Sequence, residues 1–214
     1  MSEQTPDPST EPQHGDGPED GIAAGGEQIL DSADALVAAL MELERHVGSD
    51  GWDQAPRLFA LVRTDAVIAA EPEMAEQLGL RGTADGGHPD ALTAIEQDHF
   101  QPTNDLLADL STIVWPEAVQ GCALSLVSSF LPADAEVDIP DDPEEAAEYV
   151  AGHELQQEMR VVVGADREDH RHGVARLRSQ PDELLGAQDL VPGLTEALAH
   201  TLAEPEDPIV ADQE

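Results

Sequence analysis

The sequence predicts a single α+β domain, a mostly antiparallel sheet of about five strands flanked by helices. Three observations predict it. Helical repeats of apolar residues stand near both ends of the apolar-bearing region, five short runs of Val, Leu, Ile and Ala lie between them, and the last two runs are close enough to pair as a hairpin. The chain of 214 residues is 40% hydrophobic, enough for one core of ordinary size, and its aromatics (three Phe, two Trp, one Tyr) are so few that the core must be aliphatic.

The elements follow in order. Residues 1–28 carry seven acids, no base and almost no large apolar side chain, so they cannot offset their ordering entropy and are expected to be a disordered acidic tail. Ser32 can cap a first helix in which Leu36, Leu40, Leu43 and Val47 recur at helical spacing, with Gly48 closing it and Asp50-Gly51 turning the chain. Arg57 to Arg63 reads as a buried strand, with Leu58, Ala60 and Val62 on one face and Phe59 and Leu61 on the other. Thr64 caps a short helix that Pro72 restarts or kinks, ending near Gly79. Leu92 to Gln97 is a second strand. Thr103 caps a helix bearing Leu106, Leu107, Leu110 and Ile113, stopped by Trp115-Pro116. Val119 to Val127, apolar on both faces, is a central strand. Asp142-Pro143-Glu144-Glu145 has the cap, first-turn proline and early acids of a helix start. Glu158 to Val163 and Gly173 to Arg178 form the hairpin. Asp189 to Ala203 closes the domain with Leu194, Leu198 and Leu202 on one helix face. Residues 204–214, with five acids and two prolines, are a second expected disordered tail, which leaves one domain over 29–203.

Charge narrows the function. Nine basic residues, all Arg, stand against 46 acids for a net charge of -37. Lacking Lys, the chain has no Schiff-base lysine, no Lys general base and no P-loop. So negative a field opposes nucleic-acid and anionic-membrane binding. Three readings of the acidity remain: a solvation strategy, a docking face for a basic partner, or mimicry of nucleic-acid phosphates. Met1 to Gly26 has no basic and apolar leader pattern, and no apolar run is long enough to span a bilayer, so a cytoplasmic protein is expected.

No catalytic, cofactor-binding or metal residue is assigned. His170-Arg171-His172, flanked by Asp166, Glu168 and Asp169, is the densest collection of metal-ligand types, but it falls in a polar hairpin turn and reads as a solvated loop. His153-Glu154 opens like a zincin motif, yet Gln157 stands where the second His is required. Cys122, alone in the chain and set in an apolar strand, reads as a buried structural thiol. Ser125, Ser128 and Ser129 have no Gly-x-Ser-x-Gly elbow around them, and no glycine-rich phosphate loop occurs.

Five of the nine arginines fall between 160 and 178. Arg176 and Arg178 share a strand face by the period of two, and Arg160 joins them across the ladder. Arg160, Arg176 and Arg178 are therefore the candidate interaction face. The stripe is either neutralised within the molecule, by the 134–148 segment (eight acids, no base) or by a helix, or it is presented to an anionic partner, a second copy included.

Several motifs taken in order carry a resemblance. Gly51-Trp52-Asp53-Gln54, Arg57-Leu58-Phe59-Ala60-Leu61-Val62, Ile95-Glu96-Gln97, Trp115-Pro116, Gly121-Cys122-Ala123-Leu124 and Asp189-Leu190-Val191-Pro192-Gly193-Leu194 span nearly all of 32–203. The set resembles an actinobacterial family of uncharacterised proteins. The resemblance implies a single domain and a bacterial cytoplasmic origin, and implies no activity. The function expected from the residues is a non-catalytic protein-binding or accessory module without cofactor, self-association being one of the protein contacts open to it. The alternatives are a hydrolase-type enzyme using carboxylates such as Glu96 and Asp53 with a His, and an acidic nucleic-acid mimic.

Residues 29–203 hold 34 acids against the nine arginines, so at least 25 acids lack a one-to-one partner. Self-repulsion on that scale destabilises the compact state. Because the Debye length shrinks from roughly 30 Å at 0.01 M salt to roughly 3 Å at 1 M, the melting temperature should rise steadily with sodium chloride over that range. A melting temperature that falls instead would mean that the arginine contacts dominate the electrostatics.

Overall fold

In the computed structural model, which describes residues 32–132, 135, 139–140, 142–188 and 190–203, one antiparallel sheet is covered by helices on both faces. The elements are α1 (Ser32–Ser49), β1 (Arg57–Arg63), α2 (Thr64–Ala70), α3 (Pro72–Leu78), β2 (Leu92–Glu96), α4 (Leu106–Ser111), β3 (Val119–Phe130), α5 (Pro143–Gly152), β4 (Gln157–Asp166), β5 (Arg171–Leu177), β6 (Gln180–Ala187) and α6 (Pro192–Leu202). The strand order is β2-β1-β3-β4-β5-β6, every neighbouring pair antiparallel. The fold is thus the expected α+β domain, with six strands where five were expected.

The period of two sorts the strands into two cores. Leu58, Ala60, Cys122, Leu124, Val161, Val163 and Ala175 meet Leu198 and Leu202 of α6 and Leu110 of α4 on one face. Phe59, Leu61, Ala123, Val162 and Val174 meet Leu36, Leu40, Leu43 and Val47 of α1 on the other. The apolar stripe read in the first helix and the alternation read in β1 are the two surfaces that come together here. Gly164 of β4 lets α1 come close: a Cβ there would lie 2.7 Å from Leu40 Cδ2.

Several local expectations are corrected. The sixth strand, β6, escaped notice because Pro181, Asp182, Glu183 and Gly186 give it little β character. It is an edge strand, exposed over almost its whole length, and proline and acids on such an edge discourage pairing with another chain. Thr103 is not the cap of α4. Asp105 is, accepting the Ala108 amide at 3.0 Å, while the Thr103 amide and hydroxyl bond Asp109. The helix ends at Ser111, leaving Ile113 beyond it. Thr64 is the first residue of α2 and not its cap; its hydroxyl meets that of Thr93 on β2 at 2.9 Å. Gly48 lies inside α1, which runs on to Ser49. Asp142 does cap α5, accepting the Glu145 amide at 3.1 Å, and Pro192 stands in the first turn of α6.

The two tails expected to be disordered, 1–28 and 204–214, lie outside the described residues. Both are poor in apolar residues. A chain trimmed to 29–203 should therefore melt within a few degrees of the full chain, as followed by circular dichroism. Loss of cooperative unfolding on trimming would show that a tail packs on the domain.

Candidate functional site

The densest charged constellation lies between α1 and the sheet. Glu44 occupies the apolar stripe of α1, four residues after Leu40, and is only 1% exposed. Opposite it, Arg160 of β4 and Arg176 of β5 are direct partners in the ladder. Arg160 Nε and Nη2 donate to Glu44 Oε1 at 3.2 and 2.9 Å. Arg176 Nε donates to Oε1 and Nη2 to Oε2, both at 2.9 Å. One carboxylate thus accepts four N–H bonds from two guanidinium groups. Arg160 is 4% exposed, and its remaining nitrogen Nη1 reaches the Gly51 carbonyl at 3.4 Å. Trp52 stacks on the Arg160 guanidinium, 4.6 Å from the ring centroid. Gly48 leaves room for this side chain: a Cβ there would lie 2.7 Å from Arg160 Nη2.

Burial alone would raise the Glu44 pKa, but the hydrogen bonds from Arg176 and Arg160, with their charges, outweigh it and hold the carboxyl below the usual range. The bond to Glu44 raises the Arg176 pKa in turn. Arg178, just past β5, has a different setting. It pairs with Glu158 and stands 6.0 Å from the Trp52 ring, with its side chain 58% exposed. The three arginines expected to form one face are brought together, with Arg160 and Arg176 turned inward onto α1 and only Arg178 facing outward.

Three further clusters fix the frame. Arg57 clamps the start of β1, donating Nε to Glu96 Oε1 at 2.7 Å, Nη2 to Glu96 Oε2 and Nη1 to Asp50 at 2.9 Å. The Arg57 bond holds the Glu96 carboxyl below its usual range, an unsuitable setting for a general base near neutrality. Asp53, the other carboxylate suggested for hydrolysis, is exposed. Arg167 bonds only main chain: the carbonyls of Val119, Leu202, Trp115 and Pro116, at 2.8, 2.6, 3.3 and 3.2 Å. It joins the start of β3 to the last turn of α6, where a cation also suits the helix dipole. In the four-residue β4–β5 loop, Asp169 adopts the left-handed conformation (φ 64°), which Asp tolerates in turns. Asp166 caps that loop, taking the amides of Glu168 and His170 on Oδ1 and His170 Nδ1 on Oδ2 at 2.9 Å.

Cys122 is fully buried on the α6 face beside Thr201, whose hydroxyl also accepts Trp115 Nε1–H at 2.9 Å. Burial pushes the thiol up to about 12, the setting of an inert structural cysteine. His172, on the α1 face of β5, is pushed down by burial. Among the described residues no group of three or more His, Cys, Asp or Glu side chains is gathered for a metal ion.

Two open clefts mark the surface. One, of about 490 Å³, runs between the start of α1 and the β4–β5 loop and is lined by Asp34, Val37, His170, Arg171 and His172. The other, of about 480 Å³, lies between β1, α4 and the segment after β2; its walls include Leu58, Phe100, Ile113, Val114 and Trp115. On its wall Val114 is 71% exposed, and Leu107 and Ile95 stand out on the neighbouring α4 and β2.

A sequence model of the PPA1309-like protein family matches residues 36–203, the interval from the first turns of α1 to the end of α6. The chain belongs to the PPA1309-like protein family. Comparison with curated proteins and with solved structures gave no match. In this PPA1309-like chain both core clusters, and every element except the first turn of α1, fall inside the matched interval.

The central residue of the charged cluster, Glu44, is one that reading the sequence missed. The signal was present: an acid four residues after Leu40 and one after Leu43, on a stripe that is otherwise apolar, has to meet a base. The main-chain role of Arg167 left no comparable trace, because carbonyl partners are set by the fold and not by residue type.

Removing one partner of a buried ion cluster typically costs about 3–5 kcal/mol, so Glu44→Gln should lower unfolding free energy by that order in urea denaturation. The folded pKa of Glu44 is depressed. Its contribution is therefore whole above the ordinary carboxylate value of 4.5 and is lost as pH falls toward the folded value. The stability gap between wild type and Glu44→Gln should shrink on acidification below that value, and a constant gap would show that the ionised carboxylate is not what holds the cluster.

Proposed function

We propose that the chain is a non-catalytic protein-binding or accessory module acting in a bacterial cytoplasm, of the actinobacterial type that its ordered motifs resemble. The observation that carries the reading is the exposed apolar side chain of Val114 on the wall of an open cleft, in a chain with 46 acids. Apolar surface left uncovered on so charged a protein suits a contact surface. Glu96, Glu44 and Asp166, the carboxylates best placed to be tuned for chemistry, are taken up by arginines or by a turn. Of the arginine stripe, we propose Arg178 beside Trp52 as the part open to an anionic partner, a second copy included, with Arg160 and Arg176 serving as its anchor.

Hydrolase-type chemistry is the second reading, favoured by one observation: buried Asp166 holds His170 through Nδ1 at the rim of the α1 cleft, an orientation shared with acid/base pairs. The acidic-mimic reading would draw on the 134–148 run, part of which lies outside the described residues.

A photo-crosslinking residue placed at Val114, at Arg178 and, as a control, at exposed Asp85 should separate these readings in cells. Discrete protein adducts at Val114 or Arg178, and none at Asp85, are expected. Equal labelling at all three positions, or none at either proposed site, would overturn the binding reading. Hydrolysis of a chromogenic ester that disappears in His170→Ala would support the second reading in its place.

A further inference from the structure

We infer that the cleft between β1, α4 and the segment after β2 docks a basic amphipathic segment of a partner protein, apolar side chains entering the cleft and Lys or Arg side chains lying along its acidic margin. The inference rests on the protein-binding reading and gives it a surface and a partner chemistry.

The floor and wall supply the apolar half of the argument. Leu58 comes up from β1, Phe100 from the segment after β2, and Ile113, Val114 and Trp115 from the stretch that follows α4. The end of α4 at Ser111 is what frees this last stretch. Continued as helix, it would have placed Ile113 and Val114 in a different relation to the sheet; as an irregular segment it packs Ile113 against the α6-side core and leaves Val114 outward. Leu107 and Ile95 extend the exposed apolar surface on the adjoining elements. The opening is a groove about 480 Å³ in volume, a size suited to several side chains of one segment.

The margin supplies the other half. Asp98 stands between the lining residues Gln97 and His99, Asp109 lines the cleft, and Glu117 follows Pro116 at its end. No Lys or Arg occurs between Arg81 and Arg160, so every permanent charge that this stretch of chain brings to the groove is negative, His99 being its one titratable base. Of the bases from elsewhere, Arg167 points its guanidinium at the Trp115 and Pro116 carbonyls, and Arg57, next to the lining Leu58, is taken up by Glu96 and Asp50. A cleft that sets Phe100, Ile113 and Val114 among Gln97, Gln101 and Thr112, inside an acidic margin, repels acidic segments and favours a basic one, with steering that weakens with salt. The chain's own 204–214 segment, with five acids and no base, has the wrong sign for the site.

The test uses the full chain and a labelled peptide of about four helical turns, with leucines along one face and lysines on the other. An oligolysine of equal charge is the control. The amphipathic peptide should bind at least about tenfold more tightly than oligolysine, and Val114→Arg should weaken it by about tenfold or more. Val114→Ser should weaken it less, and Leu185→Arg, the same charge change on exposed β6, should leave it intact. Amide shift changes in the labelled protein should centre on residues 97–101 and 106–116.

Equal binding of oligolysine, or equal effects of Val114→Arg and Leu185→Arg, would overturn the inference. So would peptide binding that appears only after removal of 204–214, or a self-association abolished by Val114→Arg; these would assign the cleft to the chain's own end or to a second copy. Shift changes centred elsewhere would sink the cleft and leave the protein-binding reading standing. That reading fails by its own route, the absence of crosslinked partners at both Val114 and Arg178.

Discussion

Glu44 holds two guanidinium groups at the seam between α1 and the sheet, and the α1 layer is organised around that contact. The carboxylate draws Arg160 and Arg176 off adjacent strands onto one point of the helix, so it fixes the position of α1 along β4 and β5 as well as its rotation. Apolar packing alone leaves such a helix free to slide by a turn among similar Leu and Val neighbours; a buried ion cluster with directed hydrogen bonds allows one register. Gly48 and Gly164 are consistent with this account, since each removes a side chain where arginine or leucine must come close. Two arginines on one acid leave a surplus positive charge, and the Trp52 ring face and the Gly51 carbonyl are placed to absorb part of it.

The sheet's two faces were legible in the sequence wherever burial imposed periodicity. The alternation of Leu58, Phe59, Ala60 and Leu61 was resolved into opposite cores, and the stripes of α1 and α6 lie where their spacing places them. What escaped was set by partners remote in sequence. β6 contributes almost no buried side chain, so no apolar pattern records it, and its pairing to β5 is a main-chain matter. The capping of α4 moved from Thr103 to Asp105 because both residues are competent caps and Asp109 captures the threonine. The arginine stripe was visible as a stripe, yet its inward direction depended on Glu44, an acid hidden among leucines.

The charge of the chain and the arrangement of its few arginines describe different levels of organisation. Arg57, Arg160, Arg167 and Arg176 are each committed to joints between elements: β1 to β2, α1 to β4 and β5, and α6 to β3. Among the described residues, those joints leave most acids without a base beside them. The acidic surface is therefore a continuous background, against which an apolar groove or an exposed arginine is a local contrast.

The placement of the two tryptophans has a spectroscopic consequence. Trp52 lies against the Arg160 guanidinium on the α1 side of the sheet, and Trp115 is buried on the α6 side with its indole N–H on Thr201. The chain has no others. Its intrinsic fluorescence is therefore the sum of one emitter per helical layer, the first quenchable by a cation and partly wetted, the second largely buried. Silencing either ring by substitution with phenylalanine turns ultraviolet emission into a separate gauge of each layer, so that loosening of α1 and loosening of α6 can be told apart without any attached dye.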